Sequence, residues 1–139
     1  MTFFIGARTR ESLYDTNIFL EILLGQQKAD TALKAIETIS ERKRGCVTSF
    51  SVHAIEAILR GTRRFELILD FLDFVETHPY LDRYSTSSQE EREIAEAAGQ
   101  LNLDYEDSLQ FYVARTRGLT LVTFDLHFRK LKGAKILFP

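Results

Sequence analysis

The stretch from Asn102 to Phe128 constrains the fold more than any other part of the chain. It opens on Asp104-Tyr105-Glu106-Asp107, which reads as the start of a helix carrying Leu109, Phe111, Tyr112 and Val113. Gly118 ends that helix, and the apolar strand Leu119-Thr120-Leu121-Val122-Thr123 follows, stopping at Phe124-Asp125. A helix that begins on carboxylates and a strand that ends on one are easily brought together. In an α/β fold, strand C-termini and helix N-termini meet on one edge, where ligands bind. If Asp104, Asp107 and Asp125 share that edge, they form an acidic pocket.

The rest of the chain supplies the alternation such a fold needs. Ser12-Leu13-Tyr14 reads as a first strand ending at Asp15-Thr16-Asn17. A helix with Ile18, Phe19, Ile22 and Leu23 runs to Gly25, and a second over 29–41 carries Ala29, Leu33, Ile36 and Ile39. Gly45 is expected to break that helix before a second strand, Cys46-Val47-Thr48-Ser49. Ser51 is the expected cap of a helix with Val52, Ile55, Ile58 and Leu59. Residues 63–77 form a very apolar helix, with Phe65, Ile68, Leu69, Leu72 and Val75 as its stripe and Phe71 and Phe74 outside it. Residues 80–84 read as a short strand. A helix follows from Ser87 or Ser88 to about Leu101, and after Asp125 come a short basic helix and a last strand at Lys135-Ile136-Leu137-Phe138.

Strands alternating with helices predict an α/β fold, a three-layer α/β/α arrangement around a parallel sheet of four or five strands. Right-handed crossovers put successive strand ends on one edge, which receives Asp15 and Asp125. The 139 residues are expected to form a single domain, with residues 1–11 as an N-terminal extension. Apolar runs fall short of the roughly 20 residues of a membrane span. The one cysteine, Cys46, excludes an internal disulfide and points to a reducing cytoplasm. A net charge of −2 gives no global sign of nucleic-acid binding, so any such binding falls to local patches.

Each acid has an ordinary explanation. Asp15 and Asp125 sit where strand turns into helix, so either suits an N-cap, and Asp104 with Asp107 is close to a capping box. Glu56 lies at the border of its helix's apolar stripe, where a carboxylate needs a partner. Together, though, carboxylates about 6 Å apart repel by roughly 3 kcal/mol per pair at an effective dielectric near 20. Protonation or a cation must relieve that. With oxygen donors alone, and neither cysteines nor paired histidines to draw zinc, the ion is Mg²⁺ or Mn²⁺. Such an ion suits phosphodiester hydrolysis.

Asp15-Thr16-Asn17 after a first strand, Glu56 in a mid-chain helix, Asp104-x-x-Asp107 heading a helix, and Thr123-Phe124-Asp125 with Phe128 resemble the PIN-domain nucleases over about residues 12 to 138. The resemblance implies an acidic site of Asp15, Glu56, Asp107 and Asp125, with Asp104 as an auxiliary acid. On that reading Asp15, Asp104, Asp107 and Asp125 hold the metal, and Asn17 and Thr123 orient carboxylates. It further implies cleavage of single-stranded RNA with Mg²⁺ or Mn²⁺, and for many members a toxin role held silent by a small antitoxin partner.

Among the basic clusters, Arg129 and Lys130 follow Asp125 closely enough to contact substrate phosphates. His53 and His127 could contact a ring or phosphate, although lone histidines are more often incidental. The apolar wrap of helix 63–77 predicts a homodimer in which Phe71 and Phe74 are covered by a second copy, or an inhibitor groove beside them. Two other classes compete with the nuclease. One is a non-catalytic binding module acting through that helix; the other is a receiver-like switch, disfavoured because residues 80–84 end on Tyr84-Ser85 rather than on an aspartate.

Overall fold

The computed structural model describes residues 10–139. The elements run β1 (Arg10–Tyr14), α1 (Thr16–Leu23), α2 (Ala29–Glu37), β2 (Lys43–Thr48), α3 (Ser49–Gly61), α4 (Phe65–Thr77), β3 (Leu81–Tyr84), α5 (Ser88–Leu101), α6 (Tyr105–Arg117), β4 (Thr120–Val122), a 3-10 helix (Leu126–Lys130) and β5 (Lys135–Leu137). Residues 1–9 of the expected extension lie outside the described residues. Arg10 and Glu11, which the sequence groups with them, instead belong to β1.

All five strands are parallel, in the order β3-β2-β1-β4-β5. Alternate strand residues feed two cores. Tyr14, Val47 and Val122 pack with α1 to α4 on one face, while Leu13, Cys46 and Leu121 pack with α5 and α6 on the other. The result is the three-layer α/β/α sandwich that the alternation predicts. β1 is central, and the chain leaves it toward β2 but leaves β4 toward β5. That reversal opens a crevice between the C-terminal ends of β1 and β4, the place where doubly wound sheets bind ligands. Among the described residues no helix is long and apolar enough to cross a membrane.

Several local expectations are corrected. α2 stops at Glu37, and Ile39 is buried without being helical. Gly45 is not a breaker but lies inside β2, where a Cβ would stand 2.8 Å from Ile39 Cδ1 and 3.1 Å from the Tyr14 ring. Thr48, rather than Ser51, caps α3, accepting from the Ser51 amide at 3.1 Å. Ser87 heads α5 in a reciprocal capping box with Glu90, and Gly118 closes α6 in the left-handed conformation at φ 67°.

The largest correction concerns α4. Its core-facing residues are Phe71 and Val75, whereas Phe65 is 49% and Leu69 66% exposed. Phe71 stacks edge-on against Phe19 at 5.4 Å, and Phe74 is half-buried beside it. A helix apolar on nearly every side carries little phase in its sequence: of the expected stripe Val75 is buried and Ile68 and Leu72 pack on the core, but Phe65 and Leu69 face outward and Phe71 turns in. Phe71 therefore belongs to the core and is not available to a dimer interface.

Candidate active site

Asp15 anchors the crevice. It follows β1 directly and caps α1, its Oδ1 accepting from the Thr16 amide at 2.8 Å. It is buried, and three groups serve its two oxygens. Gln110 Nε2 donates to Oδ1 at 3.1 Å, and Thr123 Oγ1 donates to Oδ2 at 2.7 Å. Burial raises the Asp15 pKa, Asp125 adds to the rise, and these hydrogen bonds oppose it.

Thr123 joins the two strand ends. Besides donating to Asp15, its Oγ1 accepts from the Asp125 amide at 2.9 Å, so β4 delivers Asp125 beside Asp15. Asp125 then caps the 3-10 helix, accepting from the His127 amide at 2.9 Å. Asn17 Oδ1 accepts from the Phe124 amide at 3.4 Å, tying α1 to the same loop. Thr123 thus holds a carboxylate directly, whereas Asn17 acts on the backbone of the loop that carries one.

α6 brings the remaining acids. Asp104 is its N-cap, its Oδ1 accepting from the Asp107 amide at 2.8 Å. Asp107 and Glu106, in the first turn, face the crevice and are half-buried. Asp15, Asp104, Glu106, Asp107 and Asp125 line one cleft of about 330 Å³, together with Thr16, Asn17 and His127. No lysine or arginine lines it among the described residues. The charge is felt most at Asp107, whose carboxyl is pushed up to about 7 by burial and then by Asp104, Asp125, Asp15 and Glu106. Glu106 is raised by burial and by Asp15 and Asp104, against a lowering hydrogen bond from Thr16.

Glu56 does not join them. α3 turns Ala54 and Ile58 to the cleft. At about 100° per residue Glu56 lies roughly 200° around the axis from Ala54, on the far border of the buried face. Sequence reading passes over three residues that do reach the site. Gln110, wholly buried, holds both Asp15 and Ser51 Oγ, the latter at 2.7 Å; a lone amide inside an apolar helix gives no sequence signal. Glu106 is visible only as part of an acidic helix start. His127, two residues after Asp125, places Nδ1 3.2 Å from Asp125 Oδ1.

The donors suit a hard divalent cation. Asp107, Asp125 and His127 each offer a ligand atom, and these atoms lie within 4.8 Å of one another. Asp15 stands behind them with both oxygens hydrogen-bonded, and Asp104 is at the rim. An unbalanced acidic cleft that drives one carboxyl toward neutrality is what such an ion relieves. The imidazole makes the set somewhat friendlier to Mn²⁺ than oxygen donors alone. A second groove of about 560 Å³ adjoins the cleft, sharing Asp104, Asp107 and His127 and lined further on by Arg129 and Lys130.

The model of the PIN domain family matches residues 13–134. No curated protein matches the chain. Among solved structures, a toxin–antitoxin complex from Klebsiella pneumoniae superposes with a TM-score of 0.70 at 16% identity, over 92% of this chain and 97% of that one. VapBC2 from Rickettsia felis, bound to a DNA fragment from its promoter, gives 0.70 at 17%, over 91% and 96%. VapC20 from Mycobacterium tuberculosis, a sarcin-ricin loop cleaving toxin, gives 0.73 at 12%, over 84% and 92%. At these identities the likeness is one of fold.

Proposed function

The chain belongs to the PIN domain family, and on that footing we propose that it is a divalent-metal-dependent endoribonuclease cleaving single-stranded RNA, and the toxin of a toxin–antitoxin pair. The observation that carries the reading is the cleft at the β1/β4 crevice, where Asp15, Asp107 and Asp125 converge with no lysine or arginine among the described residues. Asp107 and Asp125 would hold Mg²⁺ or Mn²⁺, with Asp15 and Asp104 adding charge around it. A cation held there would supply a lowered pKa for an attacking water and screening of the charge that develops on phosphate.

The chain's own residues do the rest. Thr123 and Gln110 hold Asp15 in one orientation and oppose the rise that burial imposes on its pKa, since hydrogen bonds to a carboxylate favour the charged form. Arg129 and Lys130, in the groove that opens from the acids, take backbone phosphates without reading sequence. The M. tuberculosis toxin of the same fold cleaves the sarcin-ricin loop, which supports RNA over DNA as substrate. An apolar groove of about 170 Å³ lies between α1, α2 and α4, lined by Phe19, Ile22, Leu33, Phe71 and Phe74. It is our candidate seat for the antitoxin.

Purified protein should cleave single-stranded RNA when Mn²⁺ or Mg²⁺ is supplied, and Asp15→Asn or Asp125→Asn should abolish cleavage with folding intact. Full activity in excess chelator overturns the reading.

A further inference from the structure

The resemblance expects a carboxylate from the helix after β2, and Glu56 is the glutamate the sequence offers there. In the folded chain α3 presents Ala54 and Ile58 to the cleft, and Glu56 looks elsewhere. A methyl group stands where the acid was expected. Glu106 reaches the same cleft from α6. Its Oε2 accepts from Thr16 Oγ1 at 2.7 Å, and Thr16 Oγ1 lies 2.8 Å from Ser51 Oγ. A hydroxyl carries one proton and a carboxylate only accepts, so Thr16 gives its proton to Glu106 and takes that of Ser51. Ser51 sits on α3 one turn before Ala54, on neighbouring positions of one face. The relay therefore ties Glu106 to the side of the cleft that α3 leaves without charge. Its other oxygen, Oε1, has no hydrogen-bond partner among the described residues.

We propose that Glu106, in place of Glu56, supplies the fourth carboxylate of the metal site. The inference rests on the nuclease reading of the cleft, and it concerns which side chain completes it. The bland alternative is an acid that merely favours the first turn of α6 and satisfies Thr16. Glu106→Gln separates the two, because the amide keeps an acceptor for Thr16 and removes only the charge.

The test is a Mn²⁺ titration by calorimetry on the full chain, with RNA cleavage measured beside it. Glu106→Gln should weaken Mn²⁺ binding about ten-fold or more, the loss seen when groups supporting a metal are removed, and should lower kcat. Glu56→Gln should leave both within about two-fold of the parent, the scatter of independent surface sites. Adding Ala54→Glu to Glu106→Gln should restore part of the Mn²⁺ affinity, since it returns a carboxylate to the same cleft from the other wall. The proposal is overturned if Glu56→Gln carries the loss. It is equally overturned if Glu106→Gln lowers the metal-free melting temperature while Mn²⁺ affinity is unchanged. A parent protein that binds Mn²⁺ without cutting RNA sinks the ribonuclease reading, yet the same titrations still decide for or against Glu106. A parent that binds no Mn²⁺ sinks both.

Discussion

Asp107→Asn should stabilise the metal-free protein above neutral pH and sharply reduce its stabilisation by metal. The Asp107 carboxyl is pushed from 3.8 up to about 7. That gap corresponds to roughly 4 kcal/mol at 1.36 kcal/mol per pH unit. The side chain is only half-buried, and solvent screening cuts the figure to about 1–2 kcal/mol. Because the folded-state value is raised, the native protein holds a proton that the unfolded chain has released. The associated stability is complete below pH ~4 and is lost as pH rises through about 7. Asparagine removes that loss. It also removes a favourable charge at the α6 N-terminus, worth about 0.3–1 kcal/mol, but no capping hydrogen bond, since Asp104 is the cap. Relief of desolvation and of repulsion together outweighs that loss by about 1 kcal/mol, or roughly 3–5 °C in a chain of this size. Thermal melts in chelator from pH 4 to 8.5 should therefore show the variant level with its parent at the acid end and higher above pH 7. In Mn²⁺ the order should invert, because the parent gains about 2.7 kcal/mol at a hundred-fold excess over its dissociation constant and the variant gains far less. A variant less stable than its parent at pH 8 in chelator would refute the electrostatic account of the cleft.

Two further outcomes follow from the packing and the charge pattern. Phe71→Ala should cost about 3–5 kcal/mol in a urea melt, because its ring fills the core against Phe19; a loss under 1 kcal/mol would return it to the surface. Arg129→Ala with Lys130→Ala should raise KM for RNA with kcat little changed, and should reduce the slope of log affinity against log salt by about 1 or more. An unchanged salt slope would place the RNA elsewhere.

The strand–helix order and four of the acids are legible in the sequence because their positions follow from local rules. Asp15 and Asp125 close strands, Asp104 and Asp107 open a helix, and topology alone carries such places to one edge. Glu56 misleads for the opposite reason. A helix wheel shows that it borders the buried face of α3, but a buried face has two borders, and only tertiary packing tells which one meets the crevice. α4 fails by excess, since eight apolar residues around one axis leave the phase undetermined until Phe71 finds Phe19. Gln110 cannot be found at all. Its importance lies in satisfying a buried aspartate 95 positions away, a contact no local pattern records.

The hydrogen bond from Thr123 to Asp15 spans 108 positions of sequence. Its two partners sit just after β1 and just after β4, the first and fourth strands made, which become neighbours only when the central pairing forms. Closing so long a loop comes late and contributes heavily to contact order. The cleft consequently has no local precursor: a chain emerging during synthesis carries Asp15, Asp104 and Asp107 before Asp125, and without β4 paired to β1 it lacks the pocket. On the proposed nuclease reading, cleavage is thereby a readout of completed folding. On that reading no fragment is active before the segment carrying β4 has docked, which leaves an interval in which the proposed antitoxin can bind first.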